Sequence, residues 1–451
     1  MITLKEILKA TGGTLEQTGN SYFSGISTDS RHIKKGDLFI PIKGDKFDGH
    51  RFIEIALKSG ASGALTSKKI KLPRGKTIIH VKDTLKAFHE IAKAFKERFD
   101  IRLIGITGSS GKTTTKDMLA SILSRTGRTL KTEENFNNEI GVPKTLLSLS
   151  KSHKFAVIEM AMQGAGEIKE LARITRPDVA VITNIGSAHI GLLRSEKNVA
   201  KAKSEILNFQ SKKDVAVLPA DDKYFNFLKQ RSKGKVISFG IFNSPDVSAV
   251  NIRYQGDLTL FSIKTKDFLL PIKLPLPGRH NICDALAAGT AAHALGIKPA
   301  YIKKGLENFK LSSKRLNIIK LKNIKIIDDT YNANPDSMSA SLLALKNYPP
   351  RRIAVLGDML ELGKSARRSH ENIGKLAAAL QIEELISVGK LSRYISRGAK
   401  RDGLKNVHAA RSNAEAIKLL KNSVKPNDTI LIKGSRGMKM ESIVEGLAKR
   451  S

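Results

Sequence analysis

Two residue types are almost missing from this chain of 451 residues, which contains no tryptophan and one cysteine, Cys283. A single cysteine excludes a disulfide within the chain, so we expect a cytoplasmic protein. Apolar residues nowhere run on for the roughly 20 positions that a helix needs to span a bilayer. The first residues, MITLKEILKATGG, place charges inside a helical pattern. We therefore expect neither a membrane span nor a signal peptide.

Acidic residues are also scarce: 42 Asp and Glu stand against 78 Lys and Arg, which gives a formal net charge of +36. Such a charge attracts polyanions and speeds the capture of anionic substrates. The basic residues are spread along the whole chain, and no helix-turn-helix, RNA-recognition or zinc-finger signature is present. We therefore expect phosphate-rich small substrates, no specific nucleic-acid partner and a monomeric protein.

Three regions of the chain differ in their pattern. Residues 1–98 mix short helical and strand-like pieces, whereas from about residue 99 apolar runs such as IRLIGIT, FAVIEM and DVAVITNIG alternate with helical stretches. That alternation is typical of a parallel sheet covered by helices. A period-2 stretch over residues 249–274 predicts antiparallel strands, and strand–loop–helix units resume beyond NFKLSSKRLN. We predict an α/β fold in three domains: a smaller mixed α/β domain (1–98), a central P-loop domain with a parallel sheet (99–312) and a Rossmann-like α/β domain (313–451).

The most informative stretch, TGSSGKTTTKD, follows an apolar strand and opens a helix. Glycines in such a turn let backbone N–H groups point inward around an anion, and the helix N-terminus adds its partial positive charge. Lys112 is expected to reach the β- and γ-phosphates, and the hydroxyl of Thr113 to bind Mg²⁺. The spacing departs from the usual G-x-x-x-x-G-K-T because residue 106 is isoleucine. The predicted nucleoside triphosphate site comprises Gly108, Ser109, Ser110, Gly111, Lys112, Thr113 and Thr114.

The stretch TGSSGKTTT resembles the phosphate loop of the Mur ligases and folylpolyglutamate synthetases, and further motifs of that family recur in all three regions. The resemblance implies an enzyme that uses ATP to form an amide bond through an acyl phosphate. It also implies Mg²⁺, with two ions expected, because several anions must meet in one place.

Metal ligands are implied by the resemblance at the ends of the apolar runs. Glu159 ends FAVIEM, where a carboxylate is either a metal ligand or a capped strand end. His189, in TNIGSAHIG, matches the family's second metal ligand, although a lone loop histidine is usually structural. Asn184 in the same turn is a weaker candidate for supporting the loop. VAKAKSEI resembles the segment with a carbamylated lysine; Lys203 matches best and Lys201 is the alternative.

Further nucleotide contacts are implied by motifs beyond the loop. In LPGRHNICDALAA, Asn281 matches an adenine-contacting asparagine, and capping of the helix is the alternative role. Arg315 matches an arginine that reaches the γ-phosphate, and Asp329, in IDDTYNANPDSM, matches a ribose-binding aspartate. As plain chemistry, DDTYNANP could be only an Asx-rich turn. His280, Asn332 and Asn334 are further candidates for this site.

The two substrates are implied by the outer regions. The resemblance is strongest to the subgroup that joins D-alanyl-D-alanine to UDP-N-acetylmuramoyl-tripeptide, a step of peptidoglycan synthesis that supports cell shape and division. For the muramyl substrate the candidates are Ser27, Asp29, Ser30 and Arg31 in STDSR, with Asn137 and Asn138 in TEENFNNEIGVP. Glu134 stands where the family usually has glycine. For the dipeptide the candidates are Asp358, Glu361, Lys433, Ser435 and Arg436, whose alternative is a set of solvated loop charges.

Three rival functions are open at this point. One is another amide ligase of the same family, such as a folate polyglutamylating enzyme or a different muramyl ligase. The second is a basic P-loop ATPase stimulated by nucleic acid, and the third is a nucleotide-binding regulatory protein without turnover.

Overall fold

The computed structural model describes residues 1–44, 47–69, 74–187, 190–311, 314–321 and 323–448. No helix within these ranges combines the length and apolar character that crossing a bilayer requires. The predicted boundary at residue 98 falls between a helix that ends at Lys96 and a strand that begins at Arg102. The boundary at 312 lies outside the described residues, and the domain limits stay predictions.

The N-terminal region forms a five-stranded sheet in the order β2-β9-β8-β5-β4, with two small antiparallel pairs, β1 with β3 and β6 with β7. Only β2 runs antiparallel to its neighbour in the larger sheet. The strands are β1 Ile2–Thr3, β2 Thr14–Gln17, β3 Tyr22–Phe23, β4 Ile26–Ser27, β5 Leu38–Phe39, β6 Lys43–Gly44, β7 Phe47–Asp48, β8 Gly63–Thr66 and β9 Thr77–His80, and the helices are α1 Leu4–Thr11, α2 Ile53–Lys58 and α3 Thr84–Lys96.

The central region contains a nine-stranded sheet in the order β11-β12-β10-β13-β14-β15-β16-β17-β18. All pairs up to β15 with β16 are parallel, and the last three strands form the predicted antiparallel excursion. The strands are β10 Arg102–Thr107, β11 Arg128–Lys131, β12 His153–Glu159, β13 Val179–Ile182, β14 Val215–Pro219, β15 Lys235–Gly240, β16 Val247–Gln255, β17 Leu258–Lys264 and β18 Leu269–Leu274. The helices are α4 Lys112–Leu123, α5 Gly141–Leu146, α6 Glu167–Thr175, α7 Ile190–Leu193, α8 Glu196–Ser204, α9 Phe225–Arg231, α10 Arg279–Ala294 and α11 Pro299–Glu307.

The C-terminal region contains a six-stranded sheet in the order β19-β20-β24-β21-β22-β23, parallel except for β19. The strands are β19 Asn317–Leu321, β20 Ile324–Asp329, β21 Arg352–Gly357, β22 Glu384–Val388, β23 Val407–Ala410 and β24 Thr429–Lys433. The helices are α12 Pro335–Leu345, α13 Ala366–Ala379, α14 Arg393–Arg401, α15 Asn413–Ser423 and α16 Glu441–Ala448, and short 3-10 turns occupy Ser30–His32, Gly49–Phe52, Glu205–Leu207, Gly363–Ser365 and Arg436–Met438.

The central and C-terminal regions are docked on each other. One continuous apolar cluster contains Leu286 of α10 together with Ile327 of β20 and Leu342 of α12, all fully buried. Lys325 of β20 also pairs with Asp257 of the β16–β17 turn, with an Nζ–Oδ1 distance of 2.8 Å. This arrangement brings the carboxyl ends of strands from both sheets to a common cleft, where ligands of open α/β sheets bind.

Candidate active site

The glycines of the phosphate loop are required by its geometry. A side chain at Gly108 would place its Cβ 1.8 Å from the hydroxyl oxygen of Thr183, so only hydrogen fits there. Gly111 has a φ of 78°, a left-handed conformation that glycine adopts without steric cost. The chain can therefore turn sharply from β10 into α4. The first turn of the twelve-residue helix α4, with its free N–H groups, faces the cleft beside Ser110 and Thr114.

Two lysines converge on this loop without a carboxylate partner. The Nζ atoms of Lys112 and Lys203 each donate to the carbonyl oxygen of Gly108, at 2.8 Å in both cases. Among the described residues neither lysine forms an ion pair. Burial lowers the pKa of Lys112 and lowers that of Lys203 well below its usual value, and the charge of Lys112 adds to the effect on Lys203. Lys112 and the free N–H groups at the N-terminus of α4 form a site suited to an anion.

Glu159 provides a carboxylate beside the same loop. It ends β12 and is 1% exposed. Its Oε2 accepts a hydrogen bond from the hydroxyl of Thr113 at 2.8 Å, and its Oε1 accepts one from the amide of Asn137, also at 2.8 Å. Hydroxyl and carboxylate oxygens are ligands that Mg²⁺ prefers. Two of the four residues proposed for the metal, Thr113 and Glu159, are therefore in contact. His189 lies outside the described residues.

Groups of three or more His, Cys, Asp or Glu side chains that could hold a metal do not occur within the described ranges. A Mg²⁺ site made of one hydroxyl, one carboxylate and phosphate oxygens has fewer such side chains than that. Thr113 and Glu159 fit this description, because both are oxygen donors beside the phosphate loop.

A cavity of about 910 Å³ joins residues from all three regions. It is lined by Lys112 and Glu159 of the central region and by Asp329 and Arg315 of the C-terminal region. Further lining residues are Leu85, His89, Ser109, Ser110, Gly111, Thr113, Thr114, Asn137, Asn138, Glu139, Glu170, Asn184, Phe239, His280, Asn281, Asp284, Tyr331, Asn332, Asn334 and Lys433. The chain thus brings most of its predicted nucleotide and metal residues into one space.

At the α10 end of the cavity, Asn281 is 1% exposed and its Nδ2 donates to the carbonyl of Pro277 at 2.6 Å. That bond fixes the start of α10. Burial lowers the pKa of His280 to about 4, so its imidazole is neutral. Asp284, one turn further on, was missed by sequence reasoning. Burial raises its pKa to about 8, and within the described ranges its carboxylate accepts one hydrogen bond, from the hydroxyl of Thr115 at 3.4 Å. The signal that the sequence offered for Asp284 was an acidic residue within an Ala-rich helix.

Across the cleft, Lys433 and Asp329 form a buried ion pair with an Nζ–Oδ2 distance of 2.6 Å. Ser341 donates to the same carboxylate oxygen at 2.7 Å. The guanidinium carbon of Arg315 lies 4.0 Å from the ring centroid of Tyr331, so the cation stacks on this ring. Arg315 and Asp329 therefore line the same cavity as the phosphate loop, and their contacts with the nucleotide stay predictions.

The other residues predicted for the dipeptide do not line the cavity. Asp358 accepts hydrogen bonds from the backbone N–H groups of residues 390–392 at 2.6–3.2 Å, so it orders the loop before α14. The hydroxyl of Ser435 donates to the carbonyl of Ala333. Arg436 pairs with Glu441 at 2.8 Å on the surface, and Glu361 is exposed with a φ of 64°. Of this group only Lys433 reaches the cavity.

The residues predicted in the N-terminal region also lie outside the cavity. Arg31 forms a bidentate pair with Asp29, which holds the pKa of that carboxyl well below its usual range. The hydroxyl of Ser27 donates to the carbonyl of Asp29, and Ser30 begins the 3-10 turn that Asp29 caps. Asn138 lines the cavity and its Oδ1 accepts from the N–H of Gly141 at 2.9 Å. Their roles in binding stay predictions.

Sequence reasoning also missed contacts that depend on tertiary structure. Lys116 of α4 is fully buried; its Nζ donates to the carbonyl of Thr132 at 2.9 Å and lies 3.9 Å from Glu159. Asp336, at the start of α12, accepts hydrogen bonds from the N–H of Ser187 at 2.7 Å and from its hydroxyl at 3.0 Å. The contact between Asp336 and Ser187 joins the C-terminal region to the loop after β13, and no local sequence pattern predicts it.

Fold and site together define a three-domain α/β protein of the P-loop nucleotide-binding class. Three family models match it: "Mur ligase family, catalytic domain" at residues 22–96, "Mur ligase middle domain" at 106–292 and "Mur ligase, glutamate ligase domain" at 314–436. The chain belongs to the Mur ligase family.

Individual relatives cover nearly the whole chain. The UDP-N-acetylmuramoyl-tripeptide–D-alanyl-D-alanine ligase of Bacillus subtilis is 37% identical, and the match covers 99% of this chain and 98% of the relative. A crystal structure of MurF from Acinetobacter baumannii superposes with a TM-score of 0.94 at 35% identity, covering 99% and 98% of the two chains. MurF ligase from Thermotoga maritima, in complex with ADP, gives a TM-score of 0.85 at 28% identity, covering 94% and 97%.

Proposed function

We propose that this chain is the ATP-dependent ligase that joins D-alanyl-D-alanine to UDP-N-acetylmuramoyl-tripeptide in peptidoglycan precursor synthesis. The observation that carries the proposal is the common cavity, in which the phosphate loop, Glu159 and the Asp329–Lys433 pair meet. Relatives named for this reaction match at 31–39% identity over at least 93% of the chain. The precursor supplies the cell wall and thereby serves cell shape and division.

The reaction converts a carboxylate into an amide. The terminal carboxylate of the tripeptide attacks the γ-phosphorus of ATP, ADP leaves, and an acyl phosphate forms. The amine of D-alanyl-D-alanine then attacks the acyl carbon, loses a proton and releases phosphate. Lys112, Arg315 and the N-terminus of α4 are placed to bind the negative oxygens of the transferring group.

Mg²⁺ offsets the repulsion between the reacting anions when it is bound. In this proposal it is held by Thr113, Glu159 and His189, together with Lys203 as a carbamate. A carbamate forms when a neutral amine adds CO₂ and releases a proton, giving a carboxylate-like group. The low pKa of the buried Lys203 supports this modification, because it favours the neutral amine. Lys201 is exposed, which favours Lys203 over the alternative.

The remaining roles follow the family resemblance. Asn281 and Asp329 contact the nucleoside, Asn137 and Asn138 the muramyl peptide, and Ser27, Asp29, Ser30 and Arg31 the uridine nucleotide. Lys433 is placed for the carboxylate of the dipeptide. The remaining dipeptide candidates, Asp358, Glu361, Ser435 and Arg436, are proposed only as supports of that site. The protein is proposed to act as a monomer in the cytoplasm.

ADP production with a panel of substrates tests the proposal. We expect release of ADP only when UDP-N-acetylmuramoyl-tripeptide and D-alanyl-D-alanine are both present, with formation of the pentapeptide product by mass spectrometry. L-alanyl-L-alanine and a folate substrate serve as matched controls. Turnover with the folate would favour the polyglutamylating rival, and equal stimulation by single-stranded DNA would favour the ATPase rival.

A further inference from the structure

His89 on α3 connects the N-terminal region to the wall of the cavity. It is 3% exposed and lines the cavity. Its Nδ1 lies 2.9 Å from Oε1 of Glu170 on α6, and its Nε2 lies 2.7 Å from the carbonyl oxygen of Glu139. Both ring nitrogens are therefore at hydrogen-bond distance from oxygen atoms, one from a carboxylate and one from the backbone.

Both of these oxygen atoms are acceptors. A backbone carbonyl has no proton to donate. Glu170 receives two hydrogen bonds from the guanidinium of Arg173, at 2.8 and 2.9 Å, and these bonds and His89 hold its pKa near 2, so it is ionised. A neutral imidazole carries one N–H and can satisfy only one acceptor. Both of these acceptors are satisfied when each nitrogen of His89 carries a proton.

Two other histidines show the opposite arrangement. The N–H of Met359 donates to Nε2 of His370, while Nδ1 faces the carbonyl of Ala366 at 2.7 Å. The N–H of Ser67 donates to Nε2 of His50, while Nδ1 faces Asp48. Each ring has one donor and one acceptor as neighbours, which suits a neutral imidazole with its proton on Nδ1. Such neighbours are absent around His89 in the described part of the chain.

The charges around His89 stabilise a cation. Glu170 is its direct partner, and behind Glu170 lies Arg173, which also pairs with Glu90 of α3 at 2.7 Å. Two carboxylates thus accompany one guanidinium, and the imidazolium supplies the second positive charge. With His89 protonated the four charges sum to zero; His89 is buried, whereas the side chains of Glu170, Arg173 and Glu90 are 27–36% exposed.

The carbonyl that His89 holds belongs to the loop of residues 133–139. In that loop Asn137 donates to Glu159, and the carbonyl of Asn137 accepts from the N–H of Ala161 at 2.8 Å. The imidazole therefore fixes one end of a segment whose middle is fixed by the carboxylate proposed as a metal ligand. Through this segment α3 of the N-terminal region is connected to the reacting centre.

We infer that His89 is a buried imidazolium that acts as a positioning residue: it holds the 133–139 loop against the N-terminal region so that a muramyl peptide bound by both fits the cavity. The role in substrate binding rests on the proposed function, whereas the protonation state does not. His89 touches neither reacting atom, so its effect is expected on the affinity for the peptide substrate rather than on phosphoryl transfer.

Nitrogen-15 NMR of the histidine rings in the full chain tests the protonation state. At neutral pH we expect both nitrogens of His89 at the chemical shifts of protonated imidazolium, whereas His370 and His50 show one protonated and one bare nitrogen. The variant His89→Gln assigns the signal by its loss. A neutral tautomer at His89 would overturn the inference, and this result does not depend on which substrates the enzyme uses.

Steady-state kinetics test the positioning role. In His89→Gln, which keeps one donor and loses the charge, we expect the KM for UDP-N-acetylmuramoyl-tripeptide to rise about tenfold, because a hydrogen bond between charged groups is lost. The KM for ATP and kcat should change less than about twofold.

His50→Gln, the same substitution in the same region but outside the cavity, is the control and should change neither of the two KM values nor kcat. Equal effects of the two variants, or an unchanged KM in His89→Gln, would refute the role. Failure of the wild-type chain to ligate would instead refute the proposed function and leave the NMR result standing.

Discussion

The two buried lysines at the phosphate loop and the buried lysine of the C-terminal region differ in their partners. Lys112 and Lys203 share the carbonyl oxygen of Gly108 and form no ion pair with a carboxylate among the described residues, whereas Lys433 forms an ion pair with Asp329 at 2.6 Å. Both sets line or adjoin the same cavity. A buried lysine without a counter-charge is unfavourable in its charged form until an anion binds beside it. A buried lysine in an ion pair already has its counter-charge. The central region is thus prepared for an anionic ligand, and the C-terminal region is stabilised before any ligand arrives.

The largest effect should come from the lysine at the phosphate loop. Lys112→Ala is expected to lower the ligation rate by about a thousandfold, because a cation aimed at the transferring phosphoryl group is removed. Its free energy of unfolding should stay the same or rise, since no partner is left unpaired. Product formation and chemical denaturation of the same preparation check both expectations. Retained turnover would remove this loop from the mechanism.

Lys203→Ala is expected to lower the rate by about a hundredfold or more. If the lysine acts as a carbamate, short-chain carboxylic acids should restore part of the activity, since they can occupy the space and supply the missing carboxylate. Lys201→Ala, an exposed position two residues away on α8, is the control and should not respond to added acid. Rescue that is absent, or equal in both variants, would contradict the carbamate.

In the C-terminal region the expected effect is on stability. Lys433→Met leaves the Asp329 carboxylate buried without its cation, and breaking such a pair costs about 3 kcal/mol or more. Asp329→Asn combined with Lys433→Met should recover part of the loss, because no net charge remains unpaired. Urea denaturation of the single and double variants measures this. Lys112→Met is the matched change at an unpaired lysine, and an equal loss there would erase the contrast between the two regions.

The smallest effect concerns the unpaired carboxyl of the central region. Burial raises the pKa of Asp284 to about 8 from an unfolded value of 3.8. Between those pH values the folded chain retains a proton that the unfolded chain releases. Stability conferred by this group therefore falls as pH rises through that window and levels off above about pH 8.

Asp284→Asn should remove this dependence. As pH rises through the window, the unfolding free energy of the wild type is expected to fall relative to that of the variant by about 1 kcal/mol per pH unit. Denaturation curves at pH 5.5, 6.5 and 7.5 provide the measurement. Asp267→Asn, at a side chain that is 54% exposed, is the control. Parallel pH profiles for wild type and Asp284→Asn would show that Asp284 is ionised in the folded state.

The elements that the sequence predicted well are those with a local cause. The glycine pattern of the phosphate loop, the apolar strands before it and the period-2 stretch at residues 249–274 all appear as expected. Glu159, at the end of an apolar strand, could be either a metal ligand or a capped strand end on residue type alone, and the family resemblance favoured the ligand. Asp358 and Asp29 were proposed for the two substrates; each accepts nearby N–H groups, and their roles in binding stay predictions. The sequence around a loop carboxylate does not distinguish one that binds a ligand from one that accepts hydrogen bonds from the backbone.

The sequence by itself determined the phosphate loop, the alternation of strands and helices and the order of three α/β regions, because each depends on neighbours within a few positions along the chain. Only the tertiary structure decided which charges are paired and which are not. Lys433 meets Asp329 across 104 residues, and His89 meets Glu139 and Glu170 across 50 and 81. Charge interactions act through space and depend on burial, and neither the distance nor the burial of such partners is encoded in any short stretch of residues.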